Sequence, residues 1–339
     1  MEYRFEDILE IRNGKNQKAV ENPEGRYPIY GSGGVIGYAD DYICEADTII
    51  IGRKGSINNP IYVSEPFWNV DTAFGLSVKK DFVLPKYLYY FCKKFDFGKL
   101  NKTVTIPSLT KSDLLKIKIN VPVKEEQQAI IDKLMKIESI MAFRKIELDY
   151  LDVLIKARFV EMFGDPITNP KEWKMVELGK LTTIGSSKRI FEKEYVSEGI
   201  PFYRTKEIVE LSKGNSISTE LFITKERFFE IKDKYGVPKK GDLLVSAVGT
   251  IGVIWIVDGS NDFYFKDGNL IRVDASEKFD SVYMKNLLEN LIDDYKKQMS
   301  TGTTYNALTI SGLTKLKVYD VPIELQNLFS EFVNQVYKS

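Results

Sequence analysis

The chain of 339 residues contains no histidine. That gap removes the commonest general base, the usual imidazole metal ligand and every Ser-His-Asp or Cys-His arrangement. There are only two cysteines. Cys44 (YICEA) and Cys92 (YYFCKKF) lie in apolar surroundings, which suits small buried hydrophobes in a reducing compartment and argues against a disulfide framework. No apolar run approaches the length of a membrane span, and the N-terminal MEYRFEDILEI lacks the apolar core of a signal peptide. A cytoplasmic chain without a membrane partner is expected. Charge of either sign is also missing in excess, with Lys plus Arg and Asp plus Glu at 48 each. Net charge therefore gives no nucleic-acid footprint, although basic residues can be segregated into one groove while acids cover the rest.

What remains is a globular composition, 43% apolar and 12% aromatic, long enough for two domains with a core each. Residues 123–163 hold no Gly and no Pro, so nothing there breaks a helix. Stepping alternately by three and four from Ile130 meets Leu134, Ile137, Met141, Arg144, Leu148, Leu151, Ile155, Arg158 and Met162. All but the two arginines are apolar. This is a heptad seam on a helix of roughly 60 Å, and such a seam requires a second helix. The GDPITNPKEW that follows, with Gly164 and two prolines, is a stop signal.

Residues 1–122 read as short apolar runs between turn residues, with strands expected at 27–30, 48–51, 61–63, 74–78 and 116–121 and helices near 86–94 and 109–114. Residues 164–322 read in the same way, with strands at 200–203, 242–245, 253–257 and 270–273. A second helical pattern fills 323–339. The halves repeat one another. ADTIIIGRKGSIN, carrying Asp47, matches GDLLVSAVGTIGV, carrying Asp242; DTAFGLSV matches KDGNLIRV; SLTKSDLLKIKINVP matches ALTISGLTKLKVYDVP; and EQQAIIDKL matches LQNLFSEFV. The last match sets Ile130, Leu134 and Ile137 against Phe329, Val333 and Val336, the residues expected to pair the two helices. The fold class is α+β: two tandemly repeated β-rich domains separated by a long coiled-coil-forming helix, with a shorter helix at the C-terminus.

Taken in order, YPIYGSGGVIGY (27–38), DTIIIGRKGSI, the SLTKSDLLKIKINVPVKEEQQAII junction, FVEMFGDP and STGTTYNALTISGLTKLKV make the chain resemble the specificity (S) subunit of type I restriction-modification systems. The resemblance implies that 1–122 and 164–322 are target recognition domains, each reading half of a bipartite asymmetric sequence in double-stranded DNA. It also implies that two methyltransferase (M) subunits dock on the helices and that restriction/translocase (R) subunits join them. The chain would be a non-catalytic subunit, and S-adenosylmethionine, ATP and Mg²⁺ would belong to those partners. Independently of any family, two readers held at a fixed separation engage half-sites at one distance and helical phase only.

Phosphate contact wants donors and close backbone approach, and base readout wants long polar side chains. Loops with those features supply the candidate DNA-contacting residues. In the first copy they are Gly31, Ser32, Gly33, Gly34, Arg53, Lys54, Ser56, Lys102, Thr103, Thr105 and Ser108. In the second they are Lys188, Arg189, Arg204, Thr205, Lys206, Ser246, Thr250, Thr301, Gly302, Thr303, Thr304 and Asn306. Arg53 and Lys54, between Gly52 and Gly55, form the most pointed pair. Asp47 and Asp242 each precede an apolar strand and read as turn residues rather than a catalytic couple. GSGGVIG lacks the βαβ context and the lysine of a phosphate loop. No catalytic or metal site is expected; the alternative to a DNA reader is a structural adaptor whose helical rod spaces two protein-binding domains. The terminal helix matches less than half of the central one. The remainder of the seam, 148–162, is expected to meet a methyltransferase subunit, the second domain's own helices or another copy of this chain through self-association.

Overall fold

The computed structural model describes residues 1–79, 81–101, 106–299 and 307–338. Its first half comprises β1 (Glu2–Arg4), α1 (Phe5–Ile8), β2 (Leu9–Asn13), β3 (Tyr27–Gly31), β4 (Gly34–Ala39), β5 (Thr48–Gly52), β6 (Ile61–Val63), β7 (Trp68–Asn69), β8 (Ala73–Val78), α2 (Pro85–Lys94), α3 (Lys111–Leu115) and β9 (Lys118–Asn120). The run Thr-Ile-Ile-Ile-Gly makes β5 because β-branched side chains are stiff and pack well on a pleated surface. Every residue of β5 is buried, and each isoleucine contributes about 1.5–3 kcal/mol. It lies inside an antiparallel sheet ordered β2-β8-β5-β6. A second sheet, β4-β3-β7, joins an antiparallel hairpin to a parallel neighbour, and β1 pairs with β9.

Next comes α4 (Lys124–Phe163), and then the same plan again: β10 (Met175–Glu177), β11 (Ile184–Gly185), β12 (Ile200–Tyr203), α5 (Thr205–Ser212), β13 (Phe222–Ile223), α6 (Lys225–Tyr235), β14 (Leu243–Ser246), β15 (Ile254–Ile256), β16 (Tyr264–Phe265), β17 (Leu270–Val273), α7 (Ser281–Met299), α8 (Ile310–Lys315), β18 (Lys317–Tyr319) and α9 (Ile323–Val336). The sheets recur as β11-β17-β14-β15, β13-β12-β16 with β12 and β16 parallel, and β10-β18. Three helices, α5, α6 and α7, stand where the sequence suggested only strands and turns. The apolar residues of α5 and α6 serve small local cores, whereas α7 buries Tyr283, Met284, Leu287, Leu288 and Ile292 in the main core of its unit.

The repeat extends to single hydrogen bonds. Phe5 N–H donates to the Ile117 carbonyl and Leu178 N–H to that of Leu316, both at 2.9 Å. Thr110 and Thr309 cap α3 and α8 by accepting from Asp113 N–H (3.1 Å) and Gly312 N–H (3.0 Å). Gln127 Oε1 accepts from Leu84 N–H (2.8 Å) while its Nε2 donates to the Pro122 carbonyl (2.8 Å). Gln326 does the same with Asp280 N–H (2.9 Å) and the Val321 carbonyl (2.7 Å). In each copy one buried amide thus ties the helix that leaves the domain to the start of the helix that flanks its sheet.

The chain divides into two compact units, Met1–Lys145 and Ile146–Ser339, with α4 contributing to both. In the first unit α4 buries Gln127 and Ile131, and Glu138 accepts from Tyr90 Oη (2.7 Å) and Lys93 Nζ (2.8 Å). In the second unit it buries Ile155, Phe159 and Phe163 in one cluster with Tyr283, Phe329, Val333 and Val336. The α9 helix runs antiparallel to it there. Phe329 contacts Phe159 and Phe163 with ring centroids 5.5 and 5.7 Å apart, and Tyr337 Oη donates to Asp152 (3.1 Å). Beyond the helix, Gly164 turns at φ +83°. Lys171 Nζ and Trp173 Nε1 donate to the carbonyls of Glu161 (2.6 Å) and Phe163 (2.9 Å), which satisfies the helix end.

Of the three partners expected for 148–162, the structure supplies the second domain's own helices, α7 and α9, whose core takes in Leu151, Ile155, Phe159 and Met162. The expected seam is corrected in two other respects. The middle of α4 is the bare part, with Ile137, Met141 and Leu148 at 51%, 66% and 56% exposure. Nor does Ile130 lead the buried face. It is 39% exposed and its neighbour Ile131 is buried, with Leu134 partly so. A straight helix of 3.6 residues per turn drifts away from a strict seven-residue repeat. The buried stripe therefore follows 127, 131, 134 and 138 at one end and 151, 155, 159 and 163 at the other.

Candidate nucleic-acid interface

In the first unit the ends of β2 and β5 and the start of β8 emerge at one end of the four-stranded sheet. Arg53 N–H donates to the Thr72 carbonyl (2.7 Å), Leu109 N–H to that of Arg53 (2.9 Å) and Gly55 N–H to that of Pro107 (3.0 Å). Lys54 and Ser108 form a β-bridge. The structure therefore joins Arg53, Lys54, Ser56 and Ser108, which are well separated in sequence, into one loop cluster. Arg53, Lys54 and Ser56 are exposed, and the Arg53 guanidinium carbon lies 5.8 Å from the centre of the Phe74 ring. Beside them is a hollow of about 450 Å³ with Asn58, Asn59 and Asn101 on its wall. Lys15, which sequence reading passed over, is exposed at the same end, its N–H bonded to the Asn69 carbonyl (2.9 Å). Its signal was positional: it follows β2, the first strand of its copy's four-stranded sheet, as Lys188 and Arg189 follow β11, the first strand of theirs.

Gly31, Ser32, Gly33 and Gly34 sit beside this cluster, with the Ser32 Cβ 3.0 Å from where a Cβ on Gly52 would stand. They form the tip of the β3-β4 hairpin, where Gly31 pairs with Gly34 and Gly34 has φ +133°, a conformation that favours glycine. Gly31 is buried and Gly33 exposed.

In the second unit the equivalent sheet end carries Lys188, Arg189 and Thr250, all exposed. Lys188 N–H donates to Tyr264 Oη (2.6 Å), and its ammonium lies 5.3 Å from the Tyr235 ring centre. Burial raises the Tyr264 phenol pKa against the pull of that N–H, so it stays protonated. Ser246 is placed differently from the expectation. It is fully buried, with its hydroxyl donating to the Thr250 carbonyl and accepting from Val253 N–H (2.9 Å). It closes the turn that presents Thr250. Arg204 is held by Glu207, a 2%-exposed carboxylate, through Nη2 at 3.0 Å. Thr205 Oγ1 is buried without a hydrogen bond, and Lys206 is exposed. Lys266 N–H donates to the Tyr203 carbonyl (2.9 Å), which brings the end of β12 beside the segment that enters β17. Lys102, Thr103, Thr105, Thr301, Gly302, Thr303, Thr304 and Asn306 lie outside the described residues.

Neither Asp47 nor Asp242 offers chemistry. Asp47, at φ +61°, accepts from Tyr62 Oη. Asp242 is buried, which raises its carboxyl pKa, and accepts from Lys239 and Ala275 N–H at 2.9 and 2.8 Å. Among the described residues no cluster of three His, Cys, Asp or Glu could hold a metal ion, and no helix is long and apolar enough to cross a membrane. Both cysteines are buried, and burial pushes the Cys44 thiol up to about 12.

Comparison with known proteins places these loops in context. A Haemophilus influenzae protein named as a type I restriction enzyme specificity subunit is 28% identical over 334 residues, covering 95% of this chain and 84% of that protein. The MjaIX specificity subunit of Methanocaldococcus jannaschii is 27% identical over 205 residues, covering 54% of this chain and 45% of its own length. The solved S subunit of the type I system from M. genitalium shares the fold at a TM-score of 0.56 and 17% identity, covering 100% of this chain and 91% of that one. A structure describing complex assembly and conformational transition of the type I R-M system does so at 0.51 and 15%, covering 100% and 90%. The family model described as "Type I restriction modification DNA specificity domain" matches residues 1–150 and again 170–339. With a match over nearly its whole length, twice over, the chain belongs to the type I restriction-modification DNA specificity family, whose role is DNA target recognition.

Proposed function

We propose that each domain reads one half of a bipartite, asymmetric DNA target and that α4 sets the spacer between the halves. Two methyltransferase subunits dock on the helices, and restriction/translocase subunits complete the assembly. In this reading the chain itself binds no cofactor; S-adenosylmethionine, ATP and Mg²⁺ belong to the partners. The observation that supports it best is the repeat. One sheet topology, with basic loops at the same sheet end, occurs before and after a single uninterrupted helix, and the loop residues differ between copies, as they must if the half-sites differ. In the sequence match of the two copies Arg53 and Lys54 have the uncharged Val248 and Gly249 in their place. The bare middle of α4 supports the docking, since Ile137, Met141 and Leu148, which share one face of the helix, are 51–66% exposed, and contiguous exposed apolar surface marks an interaction site.

The test is co-expression with type I methyltransferase subunits from the same source cell, followed by mapping of methylated adenines. The expected result is copurification and methylation at one split sequence with a constant spacer. Copurification without sequence preference would instead identify a structural adaptor. Loss of the methyltransferase subunits on adding excess free chain would point to self-association through the same surface.

A further inference from the structure

Arg189 stands apart from the other loop arginines in how it is held. Its Nε donates to Asp267 Oδ2 at 2.7 Å, and among the described residues Nη1 and Nη2 make no hydrogen bond. The Arg189 side chain is 66% exposed, whereas that of Asp267 is 12% exposed. The loop beneath is pinned as well. Ser186 Oγ donates to the Leu270 carbonyl (3.3 Å) and accepts from Gly268 N–H (3.4 Å), and Lys188 N–H is fixed on Tyr264. Asp267 Oδ1 is buried without a partner on the wall of a hollow of about 350 Å³. Arg204 and Arg227 contrast with this, since each spends Nε and one Nη on carboxylates.

We infer that Arg189 reads a guanine for the second domain, donating through Nη1 and Nη2 to O6 and N7 in the major groove, and that Asp267 is its positioning residue. The inference rests on the DNA-reading role proposed above and deepens it. Three physical points carry it. A guanidinium anchored at Nε presents its remaining fork in one plane, the geometry that matches the guanine edge. Much of the rotamer freedom of the arginine is already gone, so less is lost on binding. A carboxylate 2.7 Å away leaves the pair nearly neutral, which weakens attraction to a phosphate while keeping directional donors for an uncharged base edge.

The test uses the complex with methyltransferase subunits and a set of targets in which each base pair of the second domain's half-site is changed in turn. Arg189→Lys keeps the charge and the ion pair but removes the fork. It should relax discrimination at a single G·C pair by about 5- to 150-fold and leave every other position and the other half-site unchanged. Asp267→Asn should relax the same position, which a purely structural loss would not single out. Replacing that guanine by 7-deazaguanine should weaken the wild-type complex and leave the Arg189→Lys complex unaffected. Uniform weakening on all sequences, with a salt dependence shallower by about one charge, would make Arg189 a phosphate contact and overturn the inference. So would undiminished discrimination in folded Arg189→Lys. If the wild-type complex shows no sequence preference at all, the DNA-reading role falls first and this inference with it.

Discussion

A buried amide is stable only where both its polar atoms find partners, and Gln127 and Gln326 meet that condition in the same way in each domain. Gln326→Leu keeps the volume but leaves Asp280 N–H and the Val321 carbonyl without partners, and should lower stability by about 1–3 kcal/mol, read from urea unfolding. No change in midpoint would mean that water replaces both bonds. The sequence shows the two glutamines as a matched pair, yet a polar residue in the first turn of a helix reads as solvated, so the match was legible and the burial was not. Ser246 teaches the converse. Its residue type suits DNA contact, but its hydroxyl is spent inside its own turn, a fact that only the fold of residues 246–253 can reveal. Arg189 and Asp267 are 78 positions apart; the arginine could be suspected from its loop, while its carboxylate could not.

The long helix was legible as a helix because nothing in residues 124–163 interrupts it and Gly164 ends it. Its partners were less so. Apolar letters at three- and four-residue spacing define several overlapping stripes, and which stripe is buried depends on surfaces supplied by α2, α7 and α9. Phe159 and Phe163, outside the expected seam, carry the packing in the second unit. Phe159→Ala should therefore cost about 3–5 kcal/mol, whereas Met141→Gln, in the bare middle, should stay within about 0.5 kcal/mol. Thermal unfolding of the two variants should separate them clearly. The same Met141→Gln chain should recover less methyltransferase subunit on copurification if the middle of α4 is the docking surface. Equal destabilisation by both substitutions would show that the exposed and buried faces have been wrongly distinguished.

For the molecule as a whole, the repeat was the most readable feature, because four matched segments in one order require two copies of one topology. Copy two hid its extra helices, α5 and α6, since they fall between matched segments and have no counterpart in copy one. Two similar domains flanking one continuous helix lead to a prediction about DNA rather than about stability. Four residues inserted after Glu147, in the bare stretch, add about 6 Å to a helix that rises about 1.5 Å per residue. The half-sites should remain the same, because neither set of loops is touched. The spacer should lengthen by at most about two base pairs at the spacing of B-DNA, or methylation should fall if the accompanying rotation cannot be absorbed. Mapping methylated adenines with the inserted and the original chain decides the matter. An unchanged spacer with full activity would mean that something other than α4 sets the distance, while altered half-sites would mean that the insertion reaches the reading loops.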